Sequence, residues 1–181
     1  MKYELLDKMS KKREHYLVDG YNLIYAWPEL KNEDFASARD HLTNILIEYG
    51  AYEKLDITLV FDAGSTEEEE HAEKYGDHFT VIYTAPNDTA DNVIERLAYE
   101  LVRQRREIHV VSSDAIIETV ILGAGAYRHP SREFYQAVKR AKQRLRKEYL
   151  SNVKLPLVRS EVADQLDDNV FAKLEEIRRK K

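Results

Sequence analysis

Acidic residues follow the apolar segments of this 181-residue chain in a regular way. Asp19 ends YLVD, Asp62 ends ITLVFD, Asp114 ends EIHVVSSD, and Asp91 lies shortly after FTVIYT. Carboxylate oxygens are the ligands that Mg²⁺ and Mn²⁺ prefer in proteins. Carboxylates that are held together raise one another's pKa values unless a cation offsets their charge. The pattern therefore predicts a divalent-metal site, provided that the fold brings these residues together.

Polar residues around Asp114 extend this candidate site. Glu118 lies four positions after Asp114, so a helix would place both carboxylates on one face. Ser112 and Ser113 have no evident histidine partner for a nucleophilic triad. Beside acidic metal ligands, these serines would orient a carboxylate or contact a phosphate.

Each acid also has a purely structural explanation. Asp19 with the following glycine could form a turn, Asp62 could cap a helix or solvate a loop, and Asp114 could cap the helix that it opens. Asp88 is a plausible N-cap, and Asp91 would favour the positive end of a helix dipole. A shared cation, in contrast, explains why the acids recur after every predicted strand.

The segments that carry the acids alternate with helical patterns. Unbroken apolar runs predict buried strands at 16–19, 57–62, 79–84 and 107–114, and His109 is expected to be a packed strand residue. Apolar residues at helical spacing predict helices at about 34–49 and 88–104, a short helix at 115–125, and helices at 130–150 and about 160–179. The polar segment 63–78 is expected to be a loop. Such alternation predicts an α/β fold with a parallel sheet between helices, in which ligands bind at the carboxyl ends of the strands.

Charge is distributed unevenly along the chain. The net charge is −5, but residues 126–181 contain 15 Lys/Arg and 8 Asp/Glu, whereas residues 1–125 contain 13 and 25. Eight basic residues fall in the predicted helix and just before it: Arg128, Arg132, Lys139, Arg140, Lys142, Arg144, Arg146 and Lys147. They predict a surface for a nucleic-acid backbone, although a solvated helix or pairing with the acidic part of the chain would also explain them.

Composition limits the remaining possibilities. The chain has no cysteine, which excludes disulfides and thiolate metal sites and fits a reducing cytoplasm. No apolar run approaches the ~20 residues of a membrane helix, and the first 14 residues lack the apolar centre of a signal peptide. We expect a cytoplasmic protein with no membrane partner. Tyr21, Tyr25 and Trp27 could stack on nucleic-acid bases or could simply pack.

Four motifs in order resemble one known family. They are VDGYN (18–22), VFDA (60–63), DTAD (88–91) and SSD (112–114), and GAYRHPSREF (125–134) is similar to a segment of one bacterial branch. The family is the NYN family of PIN-like, metal-dependent ribonucleases, and the branch is YacP-like. The resemblance runs from about Tyr16 to Leu150. Residues 1–14 would then be an N-terminal extension, 15–150 the nuclease domain, and 151–181 a C-terminal helical segment packed on it.

The resemblance implies a three-layer α/β/α PIN-like fold with a mostly parallel sheet and a basic C-terminal helical extension. It implies an endoribonuclease that depends on Mg²⁺ or Mn²⁺ and acts on messenger RNA in association with the ribosome. Asp19, Asp91 and Asp114 would be the central acids, Asn22 would position ligands near the metal, and Asp62 and Glu118 would be accessory.

Two other functions are compatible with parts of the sequence. A small-molecule phosphatase is disfavoured because Tyr21 stands where the aspartyl-phosphate enzymes have their second aspartate. A non-catalytic RNA- or ribosome-binding module would explain the basic segment. It would not explain carboxylates that face phosphate.

Overall fold

The computed structural model describes residues 13–62, 69–104, 106–114, 123 and 125–152. Its strands are β1 (His15–Asp19), β2 (Asp56–Phe61), β3 (His71–Lys74), β4 (Phe79–Tyr83), β5 (Ile108–Val111) and β6 (Tyr127–His129). Its helices are α1 (Gly20–Ala26), α2 (Phe35–Glu53), α3 (Ala90–Arg103) and α4 (Ser131–Asn152). Strands and helices alternate along most of the chain, as the sequence predicts.

The strands form one six-stranded sheet in the order β3-β4-β2-β1-β5-β6. All neighbouring pairs are parallel except β3 and β4, which are antiparallel. In the register of β1 with β2, Asp19 lies beside Val60. The carboxyl ends of these strands therefore meet at one edge of the sheet, and Asp62 follows two residues beyond this pair.

Helices cover both faces of the sheet. On one face, a buried cluster joins β-strand residues such as Val18 and Leu59 to Leu42 of α2 and Phe134 of α4. On the other face, residues that alternate with these, among them Leu17, pack against α3. Alternate residues of a strand point to opposite faces, so strands that are apolar throughout must be covered on both sides. The chain thus has the three-layer α/β/α fold that was expected.

Three described elements differ from the sequence prediction. β3 lies within the segment 63–78 that was expected to be a loop, because its four residues HAEK are all exposed and show no apolar run. Such a short, charged strand is typical of a sheet edge. The three-residue β6 and the seven-residue α1 were also not predicted, because both are too short for a clear periodic signal.

Gly20 starts α1 because the helix begins directly against the sheet. A Cβ atom at this position would lie 2.2 Å from Cε1 of Phe61, a fully buried ring. The pair Asp19-Gly20 therefore does not form the turn that was considered as an alternative. It marks a strand that passes directly into a tightly packed helix.

His109 is buried in β5, as expected for a packed residue. Its ring stacks on Tyr16 at 4.7 Å between centroids, and its Nδ1 lies 2.8 Å from Nε2 of His129. These contacts join β5, β1 and β6 on one face of the sheet.

The chain up to Leu145 forms one compact unit, and residues from Arg146 onward form a second. The N-terminal extension up to residue 12, most of the short helix predicted at 115–125, and the expected packing of the last helix fall outside the described residues. Among the residues that the structure describes, no helix has both the length and the apolar character needed to cross a membrane.

Candidate functional site

Asp19 occupies the junction between β1 and α1. It is 9% exposed, and its Oδ1 accepts a hydrogen bond of 3.0 Å from the backbone N–H of Asn22. This is the geometry of a helix N-cap, which satisfies one of the free N–H groups at the start of α1. The capping bond holds the carboxylate at the carboxyl edge of the sheet.

Asp62 and Asp91 are brought together by the start of α3. Oδ1 of Asp62 accepts a hydrogen bond of 2.6 Å from the backbone N–H of Ala90. This acid, which directly follows β2, is therefore bonded to the start of a helix 28 positions later in the chain. Thr89 is the N-cap of α3, with its hydroxyl accepting from the backbone N–H of Asn92. Thr89, and not Asp88, is therefore the cap of this helix, and Asp91 lies in its first turn.

Asp114 lies three residues beyond the end of β5. Its backbone N–H donates to Oγ of Ser112 at 3.1 Å, and Ser112 is only 1% exposed. Of the two roles considered for this serine, orientation of the acid segment is the one that its burial permits. A contact between Ser112 and RNA is therefore not supported, whereas Ser113 is exposed.

The acids at this edge act on one another electrostatically. Burial raises the pKa of Asp19 to about 6, the hydrogen bond from Asn22 opposes this rise, and the charges of Asp91, Asp62 and Asp114 add to it. Burial, together with the charges of Asp114 and Asp62, also raises the pKa of Asp91. The four carboxylates thus form one electrostatic cluster, and their use as metal ligands stays a prediction.

This donor set fits a hard divalent cation, because it consists of oxygens whose mutual repulsion a cation would offset. Among residues 13–62, 69–104, 106–114 and 125–152, no three acidic or histidine side chains are close enough to hold an ion together. Magnesium is commonly bound through one or two carboxylates and several waters, so the cluster is compatible with such an ion. Glu118, the fifth expected ligand, falls outside the described residues.

Asn22 has a different role from a metal ligand. Its Oδ1 accepts 2.6 Å from the hydroxyl of Ser131 and 3.2 Å from the backbone N–H of Ser113. The backbone N–H of Ser131 in turn donates to Oγ of Ser113 at 3.2 Å. These bonds join α1, the segment after β5 and the first turn of α4. Asn22 therefore positions the elements that carry Asp19 and Asp114.

Ser131 supports the candidate site through hydrogen bonds, and sequence analysis missed it. It is fully buried and lies at the start of α4, where the sequence shows only a helix opening after proline. Its hydrogen bonds to Asn22 and Ser113 depend on tertiary contacts, so no local pattern could have revealed them.

Comparison with known proteins assigns the chain to a family. A family model described as the YacP-like NYN domain matches residues 16–179. The chain belongs to the YacP-like NYN family. The uncharacterized protein YacP of Bacillus subtilis (strain 168) is 40% identical over 133 residues, which cover 71% of this chain and 77% of that protein.

Solved structures agree with this membership. The YacP-like NYN chain is similar to the crystal structure of Rae1 (YacP) from Bacillus subtilis, with a TM-score of 0.67, 31% identity, and coverage of 92% of this chain and 95% of that one. The structure of a single-substitution variant of Rae1 gives a TM-score of 0.65 and 32% identity, over 91% and 99% of the two chains. The family and the α/β fold implied by the sequence motifs are therefore confirmed.

The basic residues of this YacP-like NYN protein have different surroundings. Arg132, Lys139, Arg140, Lys142 and Arg146 are exposed, and Arg128 is partly buried. Arg144 forms an ion pair with Glu53 and lies 5.9 Å above the ring of Tyr52. Pairing with the acidic part of the chain, one of the alternatives above, thus applies to Arg144. The exposed residues fit the expected nucleic-acid surface.

Substitution of Asp19 by asparagine should make the stability of the protein less dependent on pH. In the unfolded chain this carboxyl has its ordinary pKa of 3.8, whereas in the folded chain the pKa is about 6. A raised pKa means that protonation favours the folded state. The contribution of Asp19 to the free energy of unfolding is therefore fully present below pH 4, and it is lost as the pH rises through the folded pKa of about 6. In the presence of a chelator and above pH 6, we expect Asp19→Asn to be more stable than the wild type by about 3 kcal/mol, because the asparagine carries no charge to bury.

Urea unfolding at pH 4 and pH 7.5 measures this difference. The two proteins should have similar stability at pH 4 and diverge at pH 7.5. Adding Mg²⁺ at pH 7.5 should stabilise the wild type and narrow the gap, since an ion that binds only the folded state stabilises it. An equal gap at both pH values would show that burial of the Asp19 charge does not affect folding.

Proposed function

We propose that this protein is a Mg²⁺- or Mn²⁺-dependent endoribonuclease that hydrolyses phosphodiester bonds in RNA. The observation that carries the proposal is the cluster of Asp19, Asp62, Asp91 and Asp114 at the carboxyl edge of the sheet. A chain with a YacP-like NYN domain has a nuclease-like fold, and this edge is where ligands bind in open parallel sheets. Like charges that lie close together, one of them the buried Asp19, reduce stability, so their presence is best explained by a cation and a reaction.

The side chains of this protein would contribute to hydrolysis by holding a metal ion in position through their negative charge. Asp19, Asp91 and Asp114 would hold the ion, with Asp62 and Glu118 as accessory ligands. A bound divalent ion would lower the pKa of a water molecule and offset charge on the scissile phosphate. In-line attack by water would leave a 5′-phosphate and a 3′-hydroxyl. No side chain need form a covalent intermediate.

The hydrogen bonds at this edge would keep the acids in fixed positions relative to one another during the reaction. Asn22 links α1 to the backbone of Ser113 and the hydroxyl of Ser131. Because the same bonds fix the start of α4, the part of this helix up to Leu145 and the acids belong to the same compact unit. Positioned groups of this kind can supply a large part of the rate enhancement of an enzyme.

Messenger RNA on the ribosome is the substrate that we propose, and the cytoplasm is the place of action. This part of the proposal rests on the resemblance to YacP-like NYN ribonucleases. The exposed basic side chains of α4 support contact with RNA, since Lys and Arg supply affinity that does not depend on sequence.

Cleavage of defined RNAs tests the proposal. Purified protein is incubated with free messenger RNA and with ribosome-bound messenger RNA, in Mg²⁺, Mn²⁺ or EDTA, and the ends are mapped. We expect cuts that carry 5′-phosphates, that require a divalent ion, and that are more frequent on ribosomes. Absence of cleavage in every condition would contradict the proposed activity. Equal cleavage of free and ribosome-bound RNA would contradict the proposed role of the ribosome.

A non-catalytic RNA- or ribosome-binding module is the alternative function. It is favoured by one observation: within the described residues, no three acids or histidines are preassembled around an ion position. Such a module would bind RNA equally well with and without a divalent ion and would not cut it.

Arginines on α4 should contribute to RNA affinity without sequence preference. Arg132→Ala and Arg140→Ala remove exposed charges from this helix. Each should weaken RNA binding by a similar factor for all sequences and reduce the slope of log K against log salt by about 0.7. Titrations with labelled RNAs between low and moderate salt measure both effects.

Arg103→Ala is the matched control for these variants. Arg103 is an exposed arginine in the last turn of α3, at the end of the helix away from Asp91. Its removal should leave the salt slope unchanged. If all three variants change RNA affinity and its salt dependence alike, the arginines of α4 act only through the net charge of the protein and not through a specific RNA-binding surface.

A further inference from the structure

Two large aromatic side chains are exposed close to the candidate site. Tyr25 is 63% exposed and Phe35 is 55% exposed, and their ring centroids are 6.4 Å apart with an angle of 82° between the planes. Single exposed apolar residues are common on protein surfaces, but neighbouring aromatic rings often mark a binding site. Edge-to-face rings form a corner, in which a flat ligand can stack on one ring and touch the edge of the other.

These rings continue a row of aromatic contacts along the edge of the sheet. Tyr21 contacts Phe35 at 5.7 Å and the buried Phe61 at 5.4 Å, in each case edge to face. Phe61 stacks on Tyr83 at 5.8 Å, and Tyr83 stacks on His71 at 4.8 Å. We call this set the aromatic row.

The aromatic row adjoins the acids on one side of the site. Tyr21 follows Asp19 by two positions, and Phe61 directly precedes Asp62. The row therefore borders the ends of β1, β2 and β4, whereas Asn22 faces the opposite side, towards Ser113 and Ser131. A strand of RNA that contacts the start of α4 and passes the acids would next reach the aromatic row.

The charges around the aromatic row favour bases over phosphates. Arg39 lies 5.8 Å above the Tyr83 ring, but Asp34 and Asp40 are exposed acids on the same helix start. Burial raises the pKa of Tyr83, and the charges of Glu73 and, to a smaller extent, Asp40 add to this rise, whereas Arg39 opposes it. A surface of this mixed charge would not attract a phosphate backbone strongly. Aromatic rings, in contrast, bind bases through their faces, largely without regard to charge or sequence.

We propose that Tyr25 and Phe35 form a stacking site for unpaired bases of single-stranded RNA, next to the acids. The inference rests on the proposed function and narrows its substrate class. Bases in a duplex are already stacked inside the helix, so this corner would accept them only from a single strand. Trp27, which was considered for the same role, is 2% exposed and is excluded from it.

Binding of a base-free oligonucleotide isolates the contribution of stacking. The wild type and Tyr25→Ala/Phe35→Ala are titrated, in EDTA, with labelled 12-nucleotide oligoadenylate and with an abasic strand of equal length and charge. The double variant should bind oligoadenylate about tenfold more weakly, in line with the loss of stacking on one base. Its affinity for the abasic strand should stay within about twofold of the wild type, because the charges that bind the backbone are unchanged.

Tyr99→Ala is the matched control, since Tyr99 is an exposed tyrosine (45%) on α3, on the opposite face of the sheet. It should bind both strands as the wild type does. A Tyr25→Phe/Phe35→Tyr variant keeps both rings and should restore the affinity for oligoadenylate. Both substituted residues are exposed, so thermal unfolding should show that the variants fold.

Two results would overturn the stacking site. One is unchanged affinity of the double variant for oligoadenylate, and the other is an equal loss for the abasic strand. If the first of these results came with a loss of ribosome association, Tyr25 and Phe35 would be assigned to a protein contact. Failure of the proposed function gives a different result, in which oligoadenylate binds through the rings but no RNA is cut in Mg²⁺ or Mn²⁺.

Discussion

Asp91→Asn is expected to reduce RNA cleavage by more than about a hundredfold while leaving RNA affinity within about twofold of the wild type. Asp91 lies in the first turn of α3 and is partly exposed, and Thr89 provides the cap of this helix. The asparagine has nearly the same size, so the fold should persist. The substitution removes one negative charge from the cluster that would hold the ion. Single-turnover cleavage with mapped ends, together with binding in EDTA, measures the two quantities separately.

Asp88→Asn is the control for charge at the same helix start. Asp88 lies 3.5 Å from Arg96, and its Oδ1 accepts from the backbone N–H of Thr89. Loss of its charge should leave cleavage close to that of the wild type. Mg²⁺ should raise the melting temperature of the wild type and of Asp88→Asn more than that of Asp91→Asn. Retained cleavage in Asp91→Asn would contradict the central role of this acid.

Gly20→Ala is expected to destabilise the folded protein by about 1–3 kcal/mol and to reduce activity, because it overpacks the junction of β1 and α1. The new Cβ would lie 2.2 Å from the ring of Phe61, which is fully buried and has little room to move. Relief of the clash requires a shift of α1 or β2, and either shift displaces Asp19 or Asp62. Urea unfolding measures the stability, and the cleavage assay measures the displacement.

Gly123→Ala serves as the comparison, since no atom of the described part of the chain lies within 4 Å of its added Cβ. It should change stability by less than about 0.5 kcal/mol. Phe61→Leu in the Gly20→Ala background removes Cε1 and Cζ of the ring, two of the three clashing atoms, and should recover part of the lost stability. If Gly20→Ala is as stable as Gly123→Ala, the close approach of α1 to β2 is not a constraint on the fold.

The fold could be predicted from sequence wherever a segment is long enough to repeat its pattern. The apolar strands β1, β2, β4 and β5 and the helices α2, α3 and α4 were recognised for this reason. β3 and β6 could not be recognised, because an edge strand of a few exposed residues has no buried face to mark it. α1 was hidden because Gly20 suggests a turn when its packing partner is unknown.

The sequence indicated which acids lie near one another at the candidate site, but it did not indicate which residues hold the acid-bearing segments in place. The rule that strand ends meet at one edge was enough to gather Asp19, Asp62, Asp91 and Asp114. The contacts of Asn22 and Ser131 join distant parts of the chain, so their roles depend on geometry that no local motif contains. Exposure of Tyr25 and burial of Trp27 likewise follow from how α1 packs, and the sequence left both uses open.

The hydrogen bond between Asn22 and Ser131 joins positions that are 109 residues apart. A ribosome synthesises the first two acids long before it reaches the serine. Until α4 has emerged and docked, the growing chain contains Asp19 and Asp62 without the bonds that Ser131 makes to Asn22 and Ser113. Catalytic competence is therefore expected to arise late in synthesis, and an incomplete chain would pose little threat to the messenger RNA that encodes it.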